Sequence, residues 1–295
     1  MNLFQDDFLD LRTLQQRATV AQLTIQLATE QLHLVRLQQQ AGVIAQEDVN
    51  QVEENLRLAE AQLPTIQAGI RADLDTLTVL TGNMPYALDE ILNDASSLPE
   101  PKGIVGTGLP SDLLLRRPDV RRAERDLAAA NADVGIAIAA QYPRFTLVGS
   151  FGVDAISQGK LTNQAARFWS VGPSLSLPIF AGGTLASQVK ANQAAYTAAL
   201  ANYRKVVLQA LADTETALIR YDKERARLSK LSIMRDLAGH SLKLTQQRVN
   251  AGEIARLESL QADIHLQQTT DIWLNAHLAH SLALVNLYQA LGGGW

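Results

Sequence analysis

Apolar residues recur at steps of three and four through two long stretches of the chain, residues 5–80 and Leu185 to about Gln289. Both stretches are rich in Leu, Gln, Ala, Glu and Arg and poor in breakers, so each predicts long α-helices with an apolar side. Gly42 interrupts the first and Gly252 the second. Within the second, Leu200, Tyr203, Val207, Ala210, Thr214, Ala217 and Tyr221 alternate those steps as a coiled-coil seam does. Ala, Thr and Tyr stand where a tight two-stranded zipper would carry Leu or Ile, which points to broader, laterally packed helices.

Between these stretches the period changes to two. Phe145, Leu147, Gly149, Phe151 and Val153 alternate with Thr146, Val148, Ser150, Gly152 and Asp154. Trp169, Val171, Pro173, Leu175, Leu177 and Ile179 alternate with Ser170, Gly172, Ser174 and Ser176. One apolar and one small polar face over about ten residues is the pattern of a strand that separates two environments, and the length suits a membrane-spanning β-strand. The residues between, Ala155 to Arg167, are polar, and Phe168-Trp169 stand where an interfacial aromatic girdle would sit. A hairpin of a soluble sheet with one wet face is the other reading of this segment. Two strands leave open edges, so in lipid this hairpin demands completion by further strands into a closed barrel.

The helical stretches repeat each other at an offset of 210. Leu32, Ala41, Gly42, Ile44, Gln51, Leu56, Leu74, Leu77 and Gly82 meet Leu242, Ala251, Gly252, Ile254, Gln261, Leu266, Leu284, Leu287 and Gly292. Each copy predicts a helix, a tight turn at the first glycine and a return helix capped at the second, an antiparallel helical hairpin made twice. In the second copy the outgoing helix can start after Gly182-Gly183 and run to about Asn250, roughly 67 residues or about 100 Å at 1.5 Å per residue. The matching start in the first copy would fall about 27 positions ahead of Met1, so the symmetry sets the expectation that the chain enters its first hairpin partway along a helix.

A Pro/Gly/Ser-rich connector lies between the first hairpin and Arg117, and Pro118-Asp119 opens a helix to about Gln141. The predicted organisation is a first helical hairpin over 1–82, a crossover connector over 83–117, a helix over 118–142, a transmembrane β-hairpin over 143–181 and a second helical hairpin over 182–295.

Composition narrows the function classes. Among 295 residues none is cysteine, which excludes disulfides, thiolate metal ligands and cysteine nucleophiles within this sequence. Lys and Arg number 26 against 30 Asp and Glu, a formal net charge of -4, so no electrostatic attraction to nucleic acid is expected. The longest apolar runs fall far short of a transmembrane helix, and the first residues lack the basic-then-apolar pattern of a secretory leader.

Several motifs carry a resemblance to a known family. Gly108-Leu109-Pro110-Ser111-Asp112-Leu113-Leu114-Leu115-Arg116-Arg117-Pro118-Asp119-Val120 is the most specific. Ala128-Ala129-Ala130-Asn131-Ala132-Asp133-Val134-Gly135, Tyr142-Pro143-Arg144-Phe145, Ser176-Leu177-Pro178-Ile179-Phe180-Ala181-Gly182-Gly183 and the end Leu287 to Trp295 extend it over essentially the whole chain. Together they resemble the outer membrane efflux protein family, the TolC-like channels, and within it the NodT-type outer membrane lipoproteins of tripartite drug pumps. The implied fold is mainly α, long antiparallel coiled-coil hairpins forming an α-barrel tunnel, plus strands of a trimeric transmembrane β-barrel. The resemblance implies a homotrimer in which each protomer gives four strands to a 12-stranded barrel in the outer membrane of a Gram-negative cell, with the tunnel in the periplasm. Its implied partners are outer membrane lipid, a periplasmic adaptor and, through it, an inner membrane pump of the RND class; transport is passive conduction. A signal peptide, a lipid-bearing cysteine and a first strand pair, usual in such proteins, are expected to be missing here. Two other readings stay open: a soluble coiled-coil structural or interaction protein, and a non-functional fragment of a channel gene.

By the same resemblance the turns Gly42, Val43, Ile44 and Gly252, Glu253, Ile254 carry adaptor contact at the closing end of the tunnel. Asp48 and Glu258 each stand six residues after the turn glycine. Repeated by threefold symmetry they would ring a pore with carboxylates that attract cations; as ordinary acids in the first turn of a helix they would be favoured by its dipole. Val249, Ile254 and Gln261 depart from the Tyr, Arg and Asp that the family often places there. Phe145, Leu147, Phe151, Val153, Trp169, Val171, Leu175 and Leu177 are expected to face lipid. Arg116, Arg117, Arg121, Arg122 and Arg125 are interleaved with Asp112, Asp119, Glu124 and Asp126, the mark of a salt-linked solvated helix. His277 and His280, one turn apart, read as polar helix surface rather than metal ligands. No catalytic constellation, metal site or cofactor is expected.

Overall fold

The computed structural model describes residues 2–92, 117–154 and 167–293. Most of the connector and its Gly108 to Arg116 motif, including Asp112 and Arg116, lie outside the described residues, as do the polar residues 155–166. The elements are α1 (Asn2–Gln40), α2 (Gln46–Leu80), α3 (Asp89–Leu92), α4 (Pro118–Ala139), β1 (Arg144–Val153), β2 (Arg167–Ser176), α5 (Thr184–Asn250) and α6 (Arg256–Ala290). They fall into two compact units, Met1–Gly108 with Asp213–Trp295, and Leu109–Ala212.

In the first unit, α1 and α2 form one hairpin, and α6 returns along the part of α5 that lies in this unit. The two return helices match: α2 and α6 each have 35 residues, offset by 210. Their boundaries follow from backbone chemistry. At the end of α1 the Val43 N–H donates to the Gln38 carbonyl and the Gly42 N–H to the Gln39 carbonyl, each at 2.9 Å. This is a Schellman cap, and it needs a left-handed residue, Gly42 at φ 71°. The same pair of bonds recurs at Gly252 and Glu253, at Gly82 and Asn83, and at Gly292 and Gly293. Four helix ends therefore stop by one mechanism.

α1 lies between α2 and α6, which explains why its apolar residues occupy two sides. Ala28, Leu32 and Val35 of α1 meet Val49 and Leu56 of α2, with Leu257 and Ile264 of α6 packed against the same cluster. Leu11 meets Leu74 and Leu77, joined by Leu88 and Leu92 from just beyond α2, while Leu9 meets Leu274 of α6. Polar ties add register. Arg17 pairs with Asp271 at 2.7 Å and Arg256 with Glu30 at 3.2 Å, so α1 and α6 run antiparallel. Trp273 Nε1 donates to Ser232 Oγ at 2.9 Å, and Thr214 Oγ1 to the Ala290 carbonyl at 3.2 Å, binding α6 to α5.

In the second unit, α4 lies along residues 184–212. Arg117 holds Asp119 through two bonds of 3.0 and 2.7 Å and reaches the Ala210 carbonyl at 3.4 Å, while Asn192 reaches the Asp133 carbonyl. That pairing makes the two helices antiparallel and buries Val120, Ala123 and Ala137. The Arg117 guanidinium also holds the Asp119 carboxyl below the usual carboxylate range. Arg122 and Asp126 pair at 3.9 Å on the exposed face.

β1 and β2 pair antiparallel over ten residues each, from Arg144 opposite Ser176 to Val153 opposite Arg167. β2 thus begins two residues ahead of Trp169 and stops at Ser176. Leu177 and Ile179, counted above with the strand, lie beyond its end. β1 begins at Arg144, opposite Ser176, so no partner strand remains among the described residues to pair with them.

Candidate functional site

Directly opposite residues of an antiparallel pair share a face. Phe145, Leu147, Gly149, Phe151 and Val153 therefore stand with Leu175, Pro173, Val171, Trp169 and Arg167, in that order. Phe145, Leu147, Phe151 and Trp169 are each at least 74% exposed. The other face is small and polar: Thr146 lies opposite Ser174, Val148 opposite Gly172, and Ser150 Oγ bonds Ser170 Oγ at 2.7 Å. Phe168 belongs to this second face and covers Gly152, where an added Cβ would come within 2.8 Å of the ring. The adjacent aromatics Phe168 and Trp169 therefore serve opposite faces instead of one belt. Each strand keeps one edge unpaired within this two-stranded sheet.

The two helical turns lie at the same end of the first unit, because Arg256 reaches Glu30 and Leu257 joins the α1/α2 cluster. Val43 is exposed, whereas Ile44 packs on that cluster and Ile254 is half-buried. Glu253 pairs with Arg248 across its turn at 3.2 Å. Asp48 and Glu258 are both exposed in the first turns of α2 and α6. They differ in use. The Ala45 N–H donates to Asp48 Oδ2 at 3.1 Å, so this carboxylate caps its own helix. Among the described residues the Glu258 carboxylate has no such backbone donor.

A groove of ≈ 460 Å³ runs over the small α1 residues Ala21 and Ala28, between Gln62 and Ile66 of α2 and Gln267 and Ile272 of α6. It exists because small side chains recess α1 below its neighbours. Among the described residues, no three His, Cys, Asp or Glu side chains are placed to hold a metal ion, and no helix is long and apolar enough to cross a membrane.

Reading the sequence passes over one titratable group and misplaces another. Asp73 of α2 lies near Asp10 and Asp7 of α1. Burial, then the Asp10 and Asp7 charges, push its carboxyl up to about 6. Burial and Asp7 raise Asp10 in the same way. The second group is His280. His277 and His280 are 8% and 9% exposed, which corrects the expectation of polar helix surface: α6 is covered on one side by α1 and on another by α5, and little of it is left to solvent. The alignment of both residues with Trp273 and Leu284 at helical spacing was the available signal.

The family of outer membrane efflux proteins matches residues 109–293. The pyoverdine export outer membrane protein OpmQ of Pseudomonas aeruginosa is 33% identical over 98% of this chain, and the alignment covers 60% of OpmQ. Nodulation protein T of Rhizobium leguminosarum bv. trifolii is 28% identical over 98% of this chain and 62% of its own length. Among solved structures, the outer-membrane channel OprN superposes with a TM-score of 0.82 at 32% identity, covering 99% of this chain and 65% of OprN. The chain thus spans about 60% of the length of the relatives it matches. With paired helical hairpins joined through a strand hairpin, and a family match over more than half its length, the chain belongs to the outer membrane efflux protein family.

Proposed function

We propose that the chain is a channel subunit of a tripartite efflux system of the RND type, conducting drugs or other small molecules passively across the Gram-negative outer membrane. The observation that carries this reading is the β-hairpin. Ten-residue strands present bare Phe145, Leu147, Phe151 and Trp169 on one face and Ser and Thr on the other, which is the division a barrel wall needs between lipid and an aqueous lumen. The unpaired edges demand more strands. A homotrimer supplies strands from its other copies.

In this reading Phe145, Leu147, Phe151, Val153, Trp169, Val171 and Leu175 face lipid, with Leu177 just beyond the strand. The helical hairpins, 1–82 and 182–295, line a periplasmic tunnel. The turns Gly42–Ile44 and Gly252–Ile254 touch a periplasmic adaptor, through which the channel meets its pump. Glu258, whose carboxylate is free of a capping bond, is the better candidate than Asp48 for a charged constriction. No catalytic role is assigned. The work of transport belongs to the pump.

Expression behind a leader for the outer membrane, followed by membrane fractionation and chemical cross-linking, tests this. Recovery in the outer membrane as trimers is the expected result. Monomer found only in soluble fractions would overturn it.

A further inference from the structure

At the 210-residue offset, Leu11 and Ile70 of the first hairpin correspond to Tyr221 and His280 of the second. In the first hairpin Ile70 packs against the buried cluster of Leu11, Leu74 and Leu77. In the second the His280 ring stacks on Tyr221, with centroids 5.2 Å apart and planes 29° from parallel. One structural position is thus an aliphatic contact in one copy and a titratable one in the other.

His280 is 9% exposed, and among the described residues neither ring nitrogen has a hydrogen-bond partner. A neutral imidazole survives such a place by stacking; an imidazolium would be a buried charge with two unmet donors. The surrounding groups give it little help. α5 contributes Tyr221, Arg225 and Glu224. α6 itself carries His277 one turn away, against Trp273. α1, whose Leu9 meets Leu274, brings Asp6, Asp7 and Asp10 to this end of the unit. Burial, then the Arg225 charge, hold the His280 imidazole below its ordinary range, with Glu224 acting in the opposite sense.

We propose that His280 is an acid-sensitive latch: neutral, it closes the seam between α5 and α6 against Tyr221, and on protonation it loosens that seam while the Leu11–Ile70 seam of the first hairpin holds. The sign follows from linkage. A histidine depressed in the folded state contributes fully above its unfolded value of about 6.5, and its contribution is lost as pH falls below that value toward the folded one. Acid therefore acts unequally on two hairpins whose return helices are of equal length and whose caps match. This inference stands on helix packing and does not depend on the channel reading.

Hydrogen exchange of the whole purified chain tests it, with rates corrected for intrinsic pH dependence and compared at about pH 7.5 and about pH 5.5. Amides of residues 214–228 and 273–287 should exchange about threefold faster or more at the lower pH, and those of residues 63–77 should hold or gain protection. His280→Leu should abolish the difference. His280→Gln, which keeps polarity without titrating, covers the case in which leucine repacks the seam. Equal protection at both values in the parent chain, or an undiminished pH effect in both variants, would overturn the latch. So would carbon-13 titration of the His280 ring showing half-protonation at or above its ordinary value.

Discussion

Arg17 and Asp271, separated by 254 positions, meet through two hydrogen bonds of 2.7 and 3.3 Å. Their side chains keep 26% and 34% exposure, so the pair is partly screened and its geometry is a two-pronged fork. With Arg256 and Glu30 it is one of two ion pairs among the described residues that join α1 to α6, in addition to the apolar contact of Leu9 with Leu274. In a double-mutant cycle of Arg17→Ala and Asp271→Ala, the coupling should be about 1 kcal/mol and should shrink in high salt. Denaturant midpoints measure it. Zero coupling would mean that this pair adds nothing to the joining of α1 to α6.

Gly42 and Gly252 hold φ at 71° and 75°, and among the described residues a Cβ added at either would meet nothing within 4 Å. The cost of Ala there is therefore backbone strain without a clash, about 1 kcal/mol at each turn. Asn, which tolerates the left-handed region, should cost less. Thermal melting of Gly42→Ala, Gly42→Asn and Gly252→Ala compares them, and equal loss for Ala and Asn would disprove the account.

Gly152 is constrained by contact instead. Its added Cβ would meet the far end of the half-exposed Phe168 ring, which must turn aside, so Gly152→Ala should destabilise the hairpin by about 1 kcal/mol or less. Phe168→Ala clears the space, and the double variant should lose much less than the sum. Urea unfolding followed by fluorescence reads this; additive losses would place the strain elsewhere.

Asp73 sets a pH dependence of opposite sign to that of His280. Its carboxyl is raised to about 6 in the folded chain from an ordinary 3.8, so the folded state binds the proton more readily and stability falls as pH rises through that interval. The penalty is complete above about 6 and absent below the ordinary value. Asp73→Asn should therefore stabilise the first hairpin at neutral pH by about 1 kcal/mol after allowance for solvent screening, with no gain near pH 4. Melting across that range tests it; a gain independent of pH would implicate packing.

Much of this molecule is legible in its amino-acid sequence. Gly42, Gly82, Gly252 and Gly292 all take positive φ and end helices, because a Schellman cap is local chemistry that a glycine at the right spacing announces. The even and odd positions of residues 145–153 sort into two faces for an equally local reason, the two-residue period of a strand. The ends of β2 were less legible, since a strand continues only while a partner pairs with it. Phe168 could be placed on its face only once Gly152 was known to lie opposite. His277 and His280 were read as surface because helical periodicity reports one apolar side, and α6 is covered on two.

The amino-acid order by itself determined the duplicated hairpins, their turns and caps, and the two-faced strands, since each depends on bonds and contacts among residues close along the chain. Only the tertiary structure decided which helix lies between which neighbours. That arrangement brings Arg17 to Asp271, crowds Asp10 against Asp73 and closes Tyr221 over His280. Those relationships depend on which side of each long helix is removed from water, and that is settled by packing between segments far apart along the chain, beyond the reach of any local pattern.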